Sequence, residues 1–317
     1  MGETVELPGN YERHIQLGKQ AANQQNWATA IDHFEAAYAL EQRFSLNILL
    51  ASVLVENRQL AAALQLMQEK VADYLAEPDL IGFYIAVLLA NKEFVEANEL
   101  WQGVWPRMQQ DAKQRVFWQT VKRSIERAQN RYREQQVPSI DKIQQKLYSI
   151  AGLPLTEQMQ LLKLAKQLPQ AEYLKGIQPV LVNPYVHPFV RSTIFEELVT
   201  LKIAQPIAVF WFDQVKTAIP NEIPLMETSP KIQAVQQAIQ QTLADDPIFA
   251  EQVLVTSQLY LACLYPFENE VLVDSDEWTT LFLQELGLVP GNQATIVSEN
   301  SQAWFSKLQE LVAKLMF

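Results

Sequence analysis

Between Tyr11 and Gln42 the small and large apolar residues fall in two bursts, Leu17-Gly18-Ala21 and Ala30-Phe34-Ala37, separated by a polar stretch. Steps of three and four keep side chains on one face of an α-helix, so the pattern predicts two amphipathic helices joined by a turn. Residue size says how they meet. Glycine and alanine let two antiparallel backbones approach closely, and a large residue such as Phe34 fills the groove beside them. The pattern returns 33 residues on as Leu50, Ala51, Leu54, Ala63 and Met67, and after a further 34 as Tyr84, Ile85, Leu88, Ala97 and Trp101. In each copy a large apolar residue (Trp27, Leu60, Phe94) stands three positions before the alanine. The small residue at the crossing is lost stepwise, from Gly18 to Ala51 to Ile85, so the third hairpin is expected to be pushed apart.

From Asp111 to Gln136 the period becomes that of one long helix, with Trp118, Val121, Ile125, Ala128 and Tyr132 on a single stripe. Proline use then changes: Pro8, Pro78 and Pro106 precede residue 138, and the other 13 of the 16 prolines lie from Pro138 onward. Because proline ends helices, the second part must be built from shorter elements. The expected division is a repeat domain over 1–137, with repeats at about 11–43, 44–77 and 78–110 and a closing helix over 111–136, then a mostly helical domain over 138–317. Helices are predicted there over 156–167, 170–181, 188–201, 230–243, 247–264, 275–286 and 301–316. Ser229-Pro230 looks like an N-cap followed by proline in the first turn. Ile207 to Phe212 is six consecutive apolar residues, too short for a typical helix, and suits a buried strand. With Val215, Thr217 and Ile219 it predicts a β-hairpin over 207–219 turning at Asp213-Gln214, although no glycine is present at the turn.

A helical hairpin of this length with Leu-Gly, Ala, Phe and Ala at these offsets resembles the tetratricopeptide repeat. The resemblance implies a mainly α fold of antiparallel hairpins stacked into a superhelix, because each hairpin leaves an apolar face for its neighbour to cover. It further implies a non-catalytic scaffold or adaptor that binds a peptide segment of a protein partner along its inner helices. The inner positions carry Lys19 and Asn23 in the first repeat, Ser52 and Glu56 in the second, and Ala86 and Ala90 in the third. Relatives that clamp a terminal carboxylate use a ring of Lys, Arg and Asn at these places. Glu56 would repel a carboxylate and the alanines offer no donor, so a groove for apolar or mixed side chains is expected instead. With the corner Asn183 to Thr193 and the strand at Ile207, the chain as a whole resembles tetratricopeptide proteins of low-GC Gram-positive bacteria, a group that supplies no catalytic residues.

Charge adds a second surface. The chain carries 36 acidic and 25 basic residues, net -11. Yet between Arg107 and Glu134 there are eight basic residues against three acidic ones, a local +5 that leaves -16 for the remainder. A stripe such as Arg123, Arg127 and Arg131 could attract an acidic partner, and the alternative function is a regulatory protein touching nucleic acid or another polyanion through helix 113–133. The alternative is a solvated helix face that pairs with the acidic second half of the same chain. Overall acidity argues against nucleic acid and anionic membranes as partners. The lone Cys263 cannot form an internal disulfide, which suits a reducing cytoplasm. Met1 to Asn10 resembles neither a secretion signal nor an anchor.

Candidate chemistry is thin. His187, between Pro184 and Pro188, is placed to order a tight corner, and no nucleophile stands at a recognisable spacing to make it a general base. Asp274, Asp276 and Glu277 fit a helix cap better than a metal site. His14 sits where the repeat often has tryptophan, and Trp101 and Trp105 are expected in the core. No paired Cys/His ligand set or glycine-rich phosphate loop occurs, so no metal, cofactor or catalytic residue is assigned.

Overall fold

The computed structural model describes residues 10–287 and 296–313. The expectations for residues 1–9 and for the end of the last helix, beyond Ala313, lie outside the described residues. The chain divides into two compact units, one up to Tyr132 and one from Arg133. That division falls in the last turns of the long helix, a few residues before Val137.

The first unit contains α1 (Asn10–Asn23), α2 (Trp27–Leu40), α3 (Phe44–Glu56), α4 (Leu60–Gln68), α5 (Val71–Ala76), α6 (Pro78–Ala90), α7 (Phe94–Met108) and most of α8 (Ala112–Gln135). The hairpins are α1/α2, α3/α4 and α6/α7. Each turns in the same way: Gln25, Arg58 and Lys92 take left-handed backbone with φ of 58°, 61° and 69°. The amide of the next residue bonds back to the first helix, Asn26 to Ala21, Gln59 to Leu54 and Glu93 to Leu88, all at 2.9 Å. This is the Schellman closure of a helix end, made here without glycine. Trp27, Leu60 and Phe94 then begin the second helices.

Gly18 explains the tight first crossing, since a Cβ there would lie 2.5 Å from Phe34 Cε1. Ile85 is nevertheless buried, at 1 % exposure. Backbone approach within a hairpin is most extensive between α1 and α2 and least between α6 and α7, the trend that loss of the small residue dictates.

The second hairpin departs from a simple repeat. Its second helix breaks at Glu69-Lys70, and α5 follows as a separate turn. In a continuous helix the Lys70 amide would bond to Leu66; it bonds to Met67 instead, at 3.1 Å. The freed Leu66 carbonyl accepts from Asn47 Nδ2 at 3.0 Å, and the same amide nitrogen donates to the Tyr38 hydroxyl. Asn47 Oδ1 accepts from Tyr74 of α5 at 2.8 Å. Asn47 and Tyr74 are fully buried, so the polar group in the core of α3 is satisfied by the break in α4.

The helix α8 extends the array. Trp118, fully buried, stands 34 residues after Tyr84, as Tyr84 stands 34 after Leu50. It therefore holds the place of a fourth first helix. Trp101 Nε1 donates to the Trp118 carbonyl at 2.8 Å, and Phe117 lies against Gly82, where a Cβ would come within 2.8 Å of its ring. Lys122 turns inward, its ammonium 3.1 Å from Asn98 Oδ1 and 4.8 Å from the Trp101 ring centroid.

After the last turn of α8 the second unit continues with α9 (Val137–Tyr148), a helix that is not among those expected from the apolar pattern. Pro138 stands in its first turn, where proline starts a helix rather than ending one, and Ile140, Ile143 and Leu147 are buried along one side. Then come α10 (Leu155–Ala165), α11 (Gln170–Leu181), α12 (Pro188–Thr200), β1 (Ile207–Trp211), β2 (Gln214–Ala218), α13 (Pro230–Thr242), α14 (Pro247–Leu264), α15 (Ser275–Glu285) and α16 (Glu299–Ala313). The strands form an antiparallel pair in which Trp211 faces Gln214, so the turn is Phe212-Asp213, one residue earlier than expected. Burying Ile207, Val209 and Trp211 on one face fixes that register. Phe212 takes φ 52° and is held edge-on to Trp304, with ring centroids 4.8 Å apart. Ser229 precedes α13 as expected, but its hydroxyl donates to buried Glu268 at 2.5 Å instead of capping the helix. The helix α14 is long and apolar enough to cross a membrane by length and composition alone. Here its Val253, Tyr260 and Leu264 pack with Trp278, Phe282 and Phe305 in the second core.

Candidate functional site

The first helix of each hairpin buries one side and leaves the other in solvent. On α1, Lys19 and Asn23 are exposed. On α3, Glu56 is exposed and Ser52 half-buried, its hydroxyl donating to its own helix at the Ile48 carbonyl, 2.7 Å away. That bond leaves Ser52 an acceptor toward any ligand. On α6 the matching Ala86 and Ala90 are exposed. Beside these run half-buried apolar rows, Ile15 and Ile48 on one flank and Ala22, Val55 and Leu89 on the other. The surface is therefore mixed, polar and charged on α1 and more apolar toward α6.

On α8, Arg123, Arg127 and Arg131 are exposed and four apart, hence on one face. Arg123 Nη2 donates to Thr120 Oγ1 at 3.0 Å. Among the described residues none of the three lies within ion-pair distance of a carboxylate. Two other basic residues of this helix are engaged. Burial lowers the pKa of the Lys122 ammonium, against the opposing pull of Glu126. Arg133 makes a two-point contact with Glu172, with Nη2 3.0 Å from Oε2. Burial, the largest single influence, would raise the Glu172 carboxyl; Arg133, a backbone amide and the Lys175 charge together outweigh it and leave the pKa below the ordinary value.

The corner before α12 is a braced turn. Asn183 Oδ1 accepts from the Tyr185 amide at 2.9 Å. His187 Nδ1 accepts from the Phe189 amide at 3.1 Å, capping α12, so its proton sits on Nε2, 3.1 Å from the Leu311 carbonyl. With both ring nitrogens on backbone groups, the histidine orders the corner. Arg191, buried beneath, donates to the carbonyls of Asn183 and Val186, and desolvation brings its pKa down to about 10. Burial pushes the Cys263 thiol up to about 12, with Arg191 opposing, which keeps it from acting as a thiolate. An open pocket of about 370 Å³ beside the corner is lined by Leu155, Gln158, Pro184, Tyr185 and His187.

Asp274 caps α15, accepting from the amides of Asp276 at 2.8 Å and Glu277 at 3.3 Å. Glu277 does not complete the reciprocal box: its carboxylate accepts from Ser298 at 2.6 Å. Among the described residues no group of three His, Cys, Asp or Glu side chains is placed to hold a metal ion. Trp101 is buried and stacked on Trp105, with centroids 5.1 Å apart. His14 Nδ1 meets His33 Nδ1 at 3.3 Å, tying α1 to α2.

Repeating hairpins with one shared turn geometry, followed by a helical unit with a single small β-hairpin, define a protein of mainly α architecture with hairpins like those of the tetratricopeptide repeat. A curated relative carries that repeat in its name: the TPR repeat-containing protein YsoA of Bacillus subtilis (strain 168) is 21% identical over 283 residues, spanning 86% of this chain and 83% of its own. No protein-family model matches the chain, and no solved structure matches it.

Proposed function

We propose that this protein is a non-catalytic scaffold whose first unit holds a peptide segment of a protein partner along α1, α3 and α6. The observation that carries the reading is the recurrence of solvent-facing rows at one repeat interval, Lys19/Ser52/Ala86 and Asn23/Glu56/Ala90, each beside half-buried apolar side chains. A surface of this kind offers area to apolar side chains while a few polar points fix register. Its repeat-bearing relative supports the class of function. Affinity purification from native cells tests it, using the wild-type chain beside Ser52→Arg, which fills the middle of the groove. A reproducible partner retained by the wild type and lost by Ser52→Arg is expected. Equal recovery by both, or no reproducible partner, overturns the reading.

The exposed arginine stripe on α8 supports a second reading, contact with nucleic acid or another polyanion. Electrophoretic mobility at low salt decides it: no shift of DNA or RNA at micromolar protein removes it.

A further inference from the structure

The groove rows and the arginine stripe lie on matching positions of the array. Adding the 34-residue interval to Gly82, Ala86, Leu89 and Ala90 of α6 gives Val116, Thr120, Arg123 and Ser124 of α8. Arg127 and Arg131 continue the same face at steps of four. Contact between α6 and α8 is direct, because Gly82 leaves the space that the Phe117 ring occupies. Val116 is 61 % exposed and Phe117 40 %, so apolar surface continues from Phe83 and Leu89 onto α8 and meets the arginines there.

We propose that α8 supplies a fourth row to the peptide groove, and that the partner segment is amphipathic and acidic. Its apolar residues would lie on Phe83, Val116 and Phe117, and its carboxylates on Arg123 and Arg127. The proposal rests on the scaffold reading above and adds the partner's chemistry and orientation. Charge selects the occupant. The stripe has no carboxylate partner among the described residues, and arginine forks match carboxylates in two-point geometry. The rest of the chain carries -16 against the local +5, and the other first helices expose Glu12, Glu56 and Asp79 beside Arg13 and Lys19, a near balance that the stripe on α8 does not share. An acidic segment is therefore attracted most strongly at α8, which orients it with its carboxylates over the stripe. A phosphate backbone would leave Val116 and Phe117 uncovered.

Panning a random phage-displayed peptide library on the full chain tests this, with selected peptides resynthesised and their binding read by fluorescence anisotropy. The expected sequences combine Leu or Phe with Asp or Glu. Their affinity should fall about tenfold or more in Val116→Asp, and likewise in the double variant Arg123→Glu/Arg127→Glu. All three positions are exposed, and circular dichroism checks that the variants stay folded. Selected peptides that are neutral or basic overturn the proposal, as does unchanged binding by both α8 variants. If those variants bind normally while Ser52→Arg does not, the scaffold reading stands and the fourth row fails. Displacement by single-stranded DNA with dependence on the arginines and none on Val116 makes the stripe a polyanion site instead. Selection of no peptide at all removes both readings.

Discussion

Single side chains set the geometry of the first unit, and their effects are measurable. Replacing Gly18 by alanine forces a methyl group into Phe34. The expected loss is about 1–3 kcal/mol in a denaturant melt, despite the roughly 1 kcal/mol by which alanine favours helix. Combining it with Phe34→Leu should restore part of that loss, since the clash is pairwise. At the turns the sign reverses. Lys92 holds φ 69°, a conformation that costs a non-glycine residue about 1 kcal/mol or more. Lys92→Gly should stabilise by up to about 1 kcal/mol, the gain being trimmed by the freer unfolded chain; Lys92→Val should destabilise. The Glu172 carboxyl, lowered in the folded protein by Arg133, gives a pH signature. A depressed acid contributes stability that is present above the unfolded pKa and is lost as pH falls through the folded one. The contribution should therefore fade below about pH 4. With the Arg133 side chain 40 % exposed, solvent screening limits it to about 0.5–1 kcal/mol. Unfolding measured against pH should lose this component in Arg133→Ala.

Elements were legible in proportion to how local their causes are. The three hairpins could be read because periodicity and small-residue placement act within a single repeat. Equally readable was the cap at Asp274, whose partners lie two or three residues away. The break between α4 and α5 was not, because it depends on Asn47 and Tyr74, which lie far apart in the chain and meet only once the hairpins stack. Replacing Asn47 by leucine strands the Tyr74 hydroxyl and the Leu66 carbonyl; a loss of at least about 2 kcal/mol is expected. Amide exchange should show α5 opening faster than α3, and equal protection of both would contradict this account of the break. The α9 helix was missed because Pro138 signals a start as well as a stop, and the spacing of Ile140, Ile143 and Leu147 was the signal that could have decided it. Trp118 belongs to the apolar stripe that marks α8 as a helix. Its repeat interval from Tyr84, which aligns α8 with the groove rows, was equally available in the numbering.

At the scale of the molecule, two compact units with separate cores, one around Phe34, Leu54 and Trp118 and one around Trp278, Phe282 and Phe305, should melt as distinguishable transitions. Calorimetry of wild type and Gly18→Ala tests this: one transition should move and the other stay. A single transition shifting as a whole would show the units to be energetically coupled. The proposed groove was only partly readable in the sequence. Its residue types could be listed, but that an apolar surface meets a basic one on α8 depends on how Phe117 seats on Gly82. The seam at that end also has an optical consequence. Trp101 stacks on Trp105 at an interplanar angle of 17°, under the Lys122 ammonium and bonded to the backbone of α8. Two indoles this close couple their electronic transitions, and a cation over one ring perturbs its emission, so any displacement of α8 against α7 should change the ultraviolet dichroism and fluorescence of the unlabelled protein.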